Sequence, residues 1–199
     1  MQISHNELIK DITGVLLAGG RSHRMGHDKA RIEIGGRPLL CRSLDLLCHY
    51  FTTVFIAGNR PDLETEDIKS IPDIYPGSAL GGLYTGLRSA HTDWIFVAPC
   101  DMPYPDPRIL ELLLKLRNGY DAVVPRTPQG YEPVFALYHK SCLSHMKSML
   151  QQGQYRIYDF YQSINVHYLE WQHMPEGWER SLLNINTPEQ LEQLQKEQR

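Results

Sequence analysis

Apolar and polar positions alternate along the chain in two distinct patterns. Residues 13–17 (TGVLL), 54–57 (VFIA) and 94–98 (WIFVA) are short apolar runs rich in β-branched or aromatic side chains, as expected of strands buried on both faces of a parallel sheet. Between them, residues 38–48 (PLLCRSLDLLC) place Leu39, Leu40, Leu44, Leu47 and Cys48 on one helical face, and residues 82–90 form a shorter helical candidate. Strands alternating with helices predict an α/β layer structure with right-handed crossovers.

The second half continues the alternation with less regular spacing. Asp106 followed by Pro107 is an N-cap and first-turn pair that opens the apolar-striped helix RILELLLKL. Residues 121–125, 134–138 and 164–169 read as strands and 140–150 as a helix. A final helix is announced by TPEQ, with Thr187 as N-cap, Pro188 at the first helical position and Gln190 closing a capping box. The pattern therefore predicts a mostly parallel central sheet flanked by helices, with some antiparallel strand in the C-terminal half.

Composition narrows the class. A chain of 199 residues fits one domain with a core large enough to need no staple. The cysteines Cys41, Cys48, Cys100 and Cys142 show no paired spacing, and the start of the chain lacks the apolar core of a signal peptide, so a reducing cytoplasm is expected. The formal charge of −3 gives no net pull toward nucleic acid or anionic lipid. No apolar run approaches the ~20 residues needed to cross a bilayer, so neither nucleic acid nor membrane is expected as a partner. A polyanionic ligand, if there is one, must be small and locally bound.

Three loops follow predicted strands: 18–29, 71–82 and 99–107. In open α/β sheets, ligands bind outside the carboxyl ends of the strands, so these loops share one edge. In the first, Gly19 and Gly20 let backbone approach a ligand and present N–H groups, while Arg21, Arg24 and Lys29 supply charge for phosphate oxygens. The loop is not a Walker A, since His27 and Asp28 follow Gly26, and its glycines do not match G-x-G-x-x-G. An ordinary solvated turn remains open on local sequence alone. His23 and His27 lie four apart, but Gly26 argues against a helix there and no zinc partner set is evident. In the third loop, Asp101 stands amid prolines at a strand end, where a carboxylate is a natural Mg²⁺ ligand or hydrogen-bonds its own turn.

The stretch LAGGRSHRMGHDK resembles the opening signature of the molybdenum cofactor guanylyltransferase family, LAGG-x-S-x-R-M-G-x-D-K, through Leu17, Ala18, Gly19, Gly20, Ser22, Arg24, Met25, Gly26, Asp28 and Lys29. PCDMP (99–103), EPVFALY (132–138) and NINTPEQL (184–191) are similar to later family segments, whereas YPGSALGGL carries Ser78 and Ala79 where the family usually has Gly-Pro before Leu-Gly-Gly. The resemblance implies a Rossmann-like nucleotidyltransferase fold, with a nucleotide-binding half over about 13–105 and an acceptor-binding half over about 106–199. Leu17, Ala18 and Gly19 would line the nucleotide through backbone groups, with Gly20 also among the nucleotide-binding residues, Lys29 would bind phosphate, and Asp73 would be an acidic nucleotide contact. Asp101 would contact both nucleotide and Mg²⁺. Asn59 is the nearest candidate for the family's asparagine after the second strand, with Ala57 as the alternative.

The implied reaction transfers GMP from GTP to the phosphate of molybdenum-loaded molybdopterin and releases pyrophosphate, with Mg²⁺ as cofactor. Catalysis would be positioning and charge neutralisation by Lys29, Arg24 and Asp101, with no covalent intermediate. Asn186 reads equally as a metal contact or as part of the last helix cap, and Glu132 as part of the acceptor pocket. Molybdenum-delivery or cofactor-insertion proteins are the expected protein partners. Competing readings are transfer of CMP to the same pterin, nucleotidyl transfer to a sugar phosphate, and a GTP-binding protein without transferase activity. Relatives that transfer CMP usually carry LAAG, so Gly19 points to guanine.

Overall fold

The computed structural model describes residues 7–19 and 29–197. The chain runs β1 (Ile9–Leu17), β2 (Glu33–Ile34), β3 (Arg37–Pro38), α1 (Leu39–Tyr50), β4 (Phe51–Ala57), β5 (Ser70–Ile71), α2 (Ala79–Ser89) and β6 (Trp94–Pro99). It continues through α3 (Pro107–Leu116), β7 (Ala122–Thr127), β8 (Gly130–Tyr131), β9 (Ala136–His139), α4 (Leu143–Gln151), β10 (Val166–Glu170), α5 (Trp178–Ser181) and α6 (Pro188–Glu197). The main sheet has the order β10-β7-β9-β6-β1-β4-β5, with β8 paired to β7.

β1, β4, β5 and β6 are mutually parallel, as are β7 and β10, while β9 runs antiparallel between β6 and β7. The expected α/β architecture is present, and the antiparallel strand lies in the C-terminal half. Two layers of helices explain why the strands read as apolar throughout. Ile12 and Leu16 pack in one core with Leu46 and Leu47 of α1 and Ile109, Leu110 and Leu113 of α3. Val15 packs in the other with Leu80, Leu83 and Leu87 of α2 and Met146 and Met149 of α4. Side chains on both faces of β1 are thus removed from water, the dominant favourable contribution to folding.

Several element limits differ from the sequence expectation for local reasons. α2 begins at Ala79 rather than at residue 82, because the Ser78 hydroxyl accepts from Gly81 N at 3.0 Å and caps the first turn. α1 runs on to Tyr50, and Cys48 is exposed rather than on the buried face, which carries Ser43 and Leu46 instead. The strand expected from residue 134 starts at Ala136, since Phe135 N donates to Glu132 O at 3.2 Å and turns the chain first. The helix expected over 140–150 opens with a 3₁₀ turn, Lys140–Cys142, before α4.

The two predicted caps are formed. Asp106 accepts from Arg108 N at 2.8 Å, with Pro107 at the first position of α3. At α6, Gln190 N donates to Thr187 Oγ1 at 3.3 Å while Thr187 N donates to Gln190 Oε1 at 3.2 Å. Among the described residues, no helix is long and apolar enough to cross a membrane.

Candidate active site

Register alone brings the loops together. Leu17 at the end of β1 sits between Ala57 of β4 and Pro99 of β6, and Ala57 is paired in turn with Ile71 of β5. Four parallel strands therefore stop at one level, and the segments beginning at Ala18, Gly58, Pro72 and Cys100 leave the sheet side by side. Backbone pairing continues one step beyond: Ala18 N donates to Ala57 O at 3.1 Å, and Gly58 N to Ile71 O at 2.9 Å.

One side of this edge is built on close backbone approach. Gly58 has φ +134°, and a Cβ placed there would lie 2.7 Å from Gly19 N and 2.9 Å from Gly19 Cα. Only glycine fits both the conformation and the space. A Cβ on Gly19 would in turn meet the Asp73 Oδ2, so the end of β1 is enclosed by Gly58 on one side and the Asp73 carboxylate on the other. Ala18 is buried, and Gly19 is exposed.

Asp73 is held from behind. Ile74 N donates to Thr85 Oγ1 at 2.9 Å, and that hydroxyl donates to Gly81 O at 2.9 Å, tying the loop to the first turn of α2. Burial raises the Asp73 pKa above the usual carboxylate range. Its Oδ1 is buried with no hydrogen-bond partner among the described residues. A carboxylate oxygen that the fold leaves without a donor is suited to N–H or O–H donors of a ligand. Asn59 is exposed in the bend just past Gly58, whereas Ala57 is fully buried within β4 and carries only a methyl group.

The opposite side centres on Asp101. Ser43 of α1, buried in the helix face, donates from Oγ to Pro99 O at 2.7 Å and fixes the end of β6. Asp101 O accepts from Ile185 N at 3.0 Å, which docks the segment before α6 against the Asp101 loop. Asn184 Nδ2 donates to Glu132 Oε2 at 3.4 Å, and Asn184 Oδ1 is buried with no partner among the described residues. The Glu132 carboxyl is raised to about 7, first by burial and then by the nearby charge of Asp101, with the Asn184 hydrogen bond acting in the opposite direction.

The structure thus brings Leu17, Ala18, Gly19, Asp73 and Asp101 to one edge, with Asn59 at its rim. Gly20, Arg21, Arg24, His23 and His27 lie outside the described residues, as does the Lys29 side chain, although the Lys29 backbone opens a 3₁₀ turn, Lys29–Arg31. Asn186 N donates to Gln190 Oε1 at 2.7 Å and Asn186 Nδ2 to Asn184 O at 3.4 Å, so its backbone joins the cap of α6. Gly58 and Ser43 were not singled out by sequence reasoning. The only signal for Gly58 is a Gly-Asn pair after a strand, and for Ser43 a lone hydroxyl inside an apolar helix face.

Residues 14–166 match the MobA-like NTP transferase domain. The chain belongs to this family. Among its relatives, a probable molybdenum cofactor guanylyltransferase from Pelotomaculum thermopropionicum is 33% identical over 183 residues, covering 90% of this chain and 89% of the relative. The molybdenum cofactor guanylyltransferase of Vibrio cholerae is 32% identical over 190 residues, covering 92% and 91%. The crystal structure of molybdopterin-guanine dinucleotide biosynthesis protein A from Archaeoglobus fulgidus superposes with a TM-score of 0.80 at 25% identity, covering 92% of this chain and 97% of that one. The family fold therefore extends over nearly the whole molecule, including the edge where the four strand ends meet.

Proposed function

We propose that the protein transfers GMP from GTP to the phosphate of molybdenum-loaded molybdopterin, forming the guanine dinucleotide cofactor and releasing pyrophosphate. The observation that carries this reading is the meeting of Gly19, Asp73 and Asp101 at adjacent strand ends, in a family whose similar members are named guanylyltransferases.

The chemistry follows from the groups present. An oxygen of the acceptor phosphate attacks the α-phosphorus of GTP in line, a new P–O–P bond forms, and the bond to the β-phosphate oxygen breaks as pyrophosphate leaves. A phosphate monoester has its second pKa near 6, so the nucleophile is already ionised near neutral pH and no general base is called for. Both reactants are anions, and the protein's task is to hold them in line and offset their repulsion. Backbone groups of Leu17 to Gly19 bind the nucleoside, and the donor-seeking Asp73 carboxylate takes its N–H or O–H groups. Lys29 and Arg24 offset charge on the phosphates.

Mg²⁺ fits the oxygen donors gathered around Asp101. Among the described residues no group of three or more His, Cys, Asp or Glu could hold a metal. Mg²⁺ needs no such cage, since it retains waters and takes phosphate oxygens as ligands. The orphaned Asn184 Oδ1 is a hard donor of the required kind. When bound by Asp101, Mg²⁺ would supply charge neutralisation to the reacting phosphates. A molybdenum-delivery protein before this step and a cofactor-insertion protein after it are the partners such a reaction calls for.

The test is pyrophosphate release with purified molybdenum-loaded molybdopterin and each of GTP, CTP and ATP. Release with GTP alone is expected. Release with CTP would overturn the choice of nucleotide, and GTP binding without release would reduce the protein to a binder.

A further inference from the structure

Three segments far apart in sequence meet beside Asp101: the loop after β6, the turn after β8 that holds Glu132, and the segment of Asn184 before α6. Glu132 is anchored on both sides of its Cα, its N–H donating to Pro125 O at 3.0 Å and its carbonyl accepting from Phe135 N at 3.2 Å. Asn184 is anchored through its neighbour, Ile185, which is fully buried and donates to Asp101 O at 3.0 Å. Between these two fixed points runs the hydrogen bond from Asn184 Nδ2 to Glu132 Oε2, at 3.4 Å.

Glu132 Oε2 acts as the acceptor in this hydrogen bond, and that contact sets which way the Asn184 carboxamide faces. Rotating the Asn184 amide by half a turn would set Oδ1 against Oε2, oxygen to oxygen. The carboxamide is thereby held with Oδ1 turned away from Glu132, buried and without a donor. Both residues are half-buried, and withdrawing two polar groups from water costs free energy that an apolar pair would avoid, which argues for a use beyond packing.

We infer that Glu132 is a positioning residue for guanylyl transfer: it orients the Asn184 carboxamide so that Oδ1 is presented at the Asp101 edge to a donor or cation brought by the substrates. The inference rests on the proposed reaction. Glu132 touches no reacting atom and acts through Asn184. Misplacing one group at such a site costs up to about 100-fold in rate.

The experiment combines a mutant cycle with a readout independent of turnover. Glu132→Leu keeps the volume but removes the acceptor, and it should lower kcat/KM for the acceptor about 10- to 100-fold while leaving the KM for GTP unchanged. Glu132→Gln can still accept from Asn184 Nδ2 through its amide oxygen and should retain most activity. Glu132→Leu combined with Asn184→Ala should be no worse than Asn184→Ala alone, as expected of residues acting as one unit. In ¹⁵N spectra, the Asn184 side-chain NH₂ pair should shift in Glu132→Leu and hold its position in Glu132→Gln. Multiplying losses in the double variant, equal loss in Glu132→Gln and Glu132→Leu, or unmoved Asn184 resonances would each overturn the assignment. If the wild-type protein transfers no GMP, the proposed reaction fails, and the NH₂ resonances still decide whether Glu132 holds Asn184.

Discussion

Replacing Gly58 by alanine tests the close approach of strand ends that encloses Gly19. The new Cβ would lie 2.7 Å from Gly19 N, 2.9 Å from Gly19 Cα and 3.1 Å from Ala18 C. Cβ atoms essentially never approach another heavy atom within 3.0 Å. All three neighbours are backbone, so no side chain can swing aside. The φ of +134° adds a strained conformation costing about 1–3 kcal/mol, and forcing an extra methyl into a closed contact costs about 1–3 kcal/mol more. The total loss should be about 2–6 kcal/mol.

Gly36→Ala is the control, because Gly36 also has positive φ, +71°, with nothing within 4 Å of a new Cβ. It should lose only the conformational cost, about 1–2 kcal/mol. Urea unfolding followed by far-UV circular dichroism compares the two. Gly58→Ala should be the less stable, and because relief of the clash moves Ala18 and Gly19, its Kd for GTP should rise about 10-fold or more while that of Gly36→Ala stays near wild type. Equal stability of the two variants, with unchanged GTP binding in both, would refute the reasoning.

The Glu132 carboxyl is raised from its ordinary 4.5 to about 7, so the neutral form is the one the fold favours. Its contribution to stability is complete below about pH 4.5 and is lost as pH rises through about 7. At about 1.4 kcal/mol per unit, reduced because the group is partly solvated, the loss is about 2 kcal/mol. Glu132→Gln should remove that pH dependence in urea titrations run in a chelator between pH 5 and about 8, and an unchanged slope would contradict it. Ser43→Ala leaves Pro99 O without its 2.7 Å partner and should cost about 1–2 kcal/mol in the same assay. Asp73→Ala should raise the KM for GTP about 10-fold or more with little effect on the acceptor, since it removes the carboxylate that stands against Gly19 and whose Oδ1 has no partner among the described residues. Thr187→Ala should cost about 1 kcal/mol by removing the acceptor for Gln190 N.

What the sequence made legible follows from local physics. Buried parallel strands are short apolar runs whichever face is considered, so β1, β4 and β6 stand out, and their ends mark the site. Caps depend on neighbouring residues, which is why Asp106, Thr187 and Gln190 were readable. The start of α2 is obscured because Gly81 argues against helix, while its cap comes from a single hydroxyl, Ser78. Cys48 was assigned to a buried face because helical periodicity does not say how wide the buried stripe is.

The pairings inside the site were not legible. Glu132 and Asn184 are 52 residues apart, and only the arrival of β9 between β6 and β7 and the return of the chain before α6 bring them to Asp101. The enclosure of Gly19 by Gly58 and Asp73 likewise depends on strand order, which periodicity does not reveal.

The most direct test of the central claim follows α-phosphate label from GTP into molybdenum-loaded molybdopterin in the presence of Mg²⁺, with the product identified by mass. The account predicts labelled guanine dinucleotide from the wild-type protein and a loss of about 10²- to 10³-fold in Asp101→Ala. Label transferred equally well by Asp101→Ala, or no guanine dinucleotide from the wild-type protein, would contradict it.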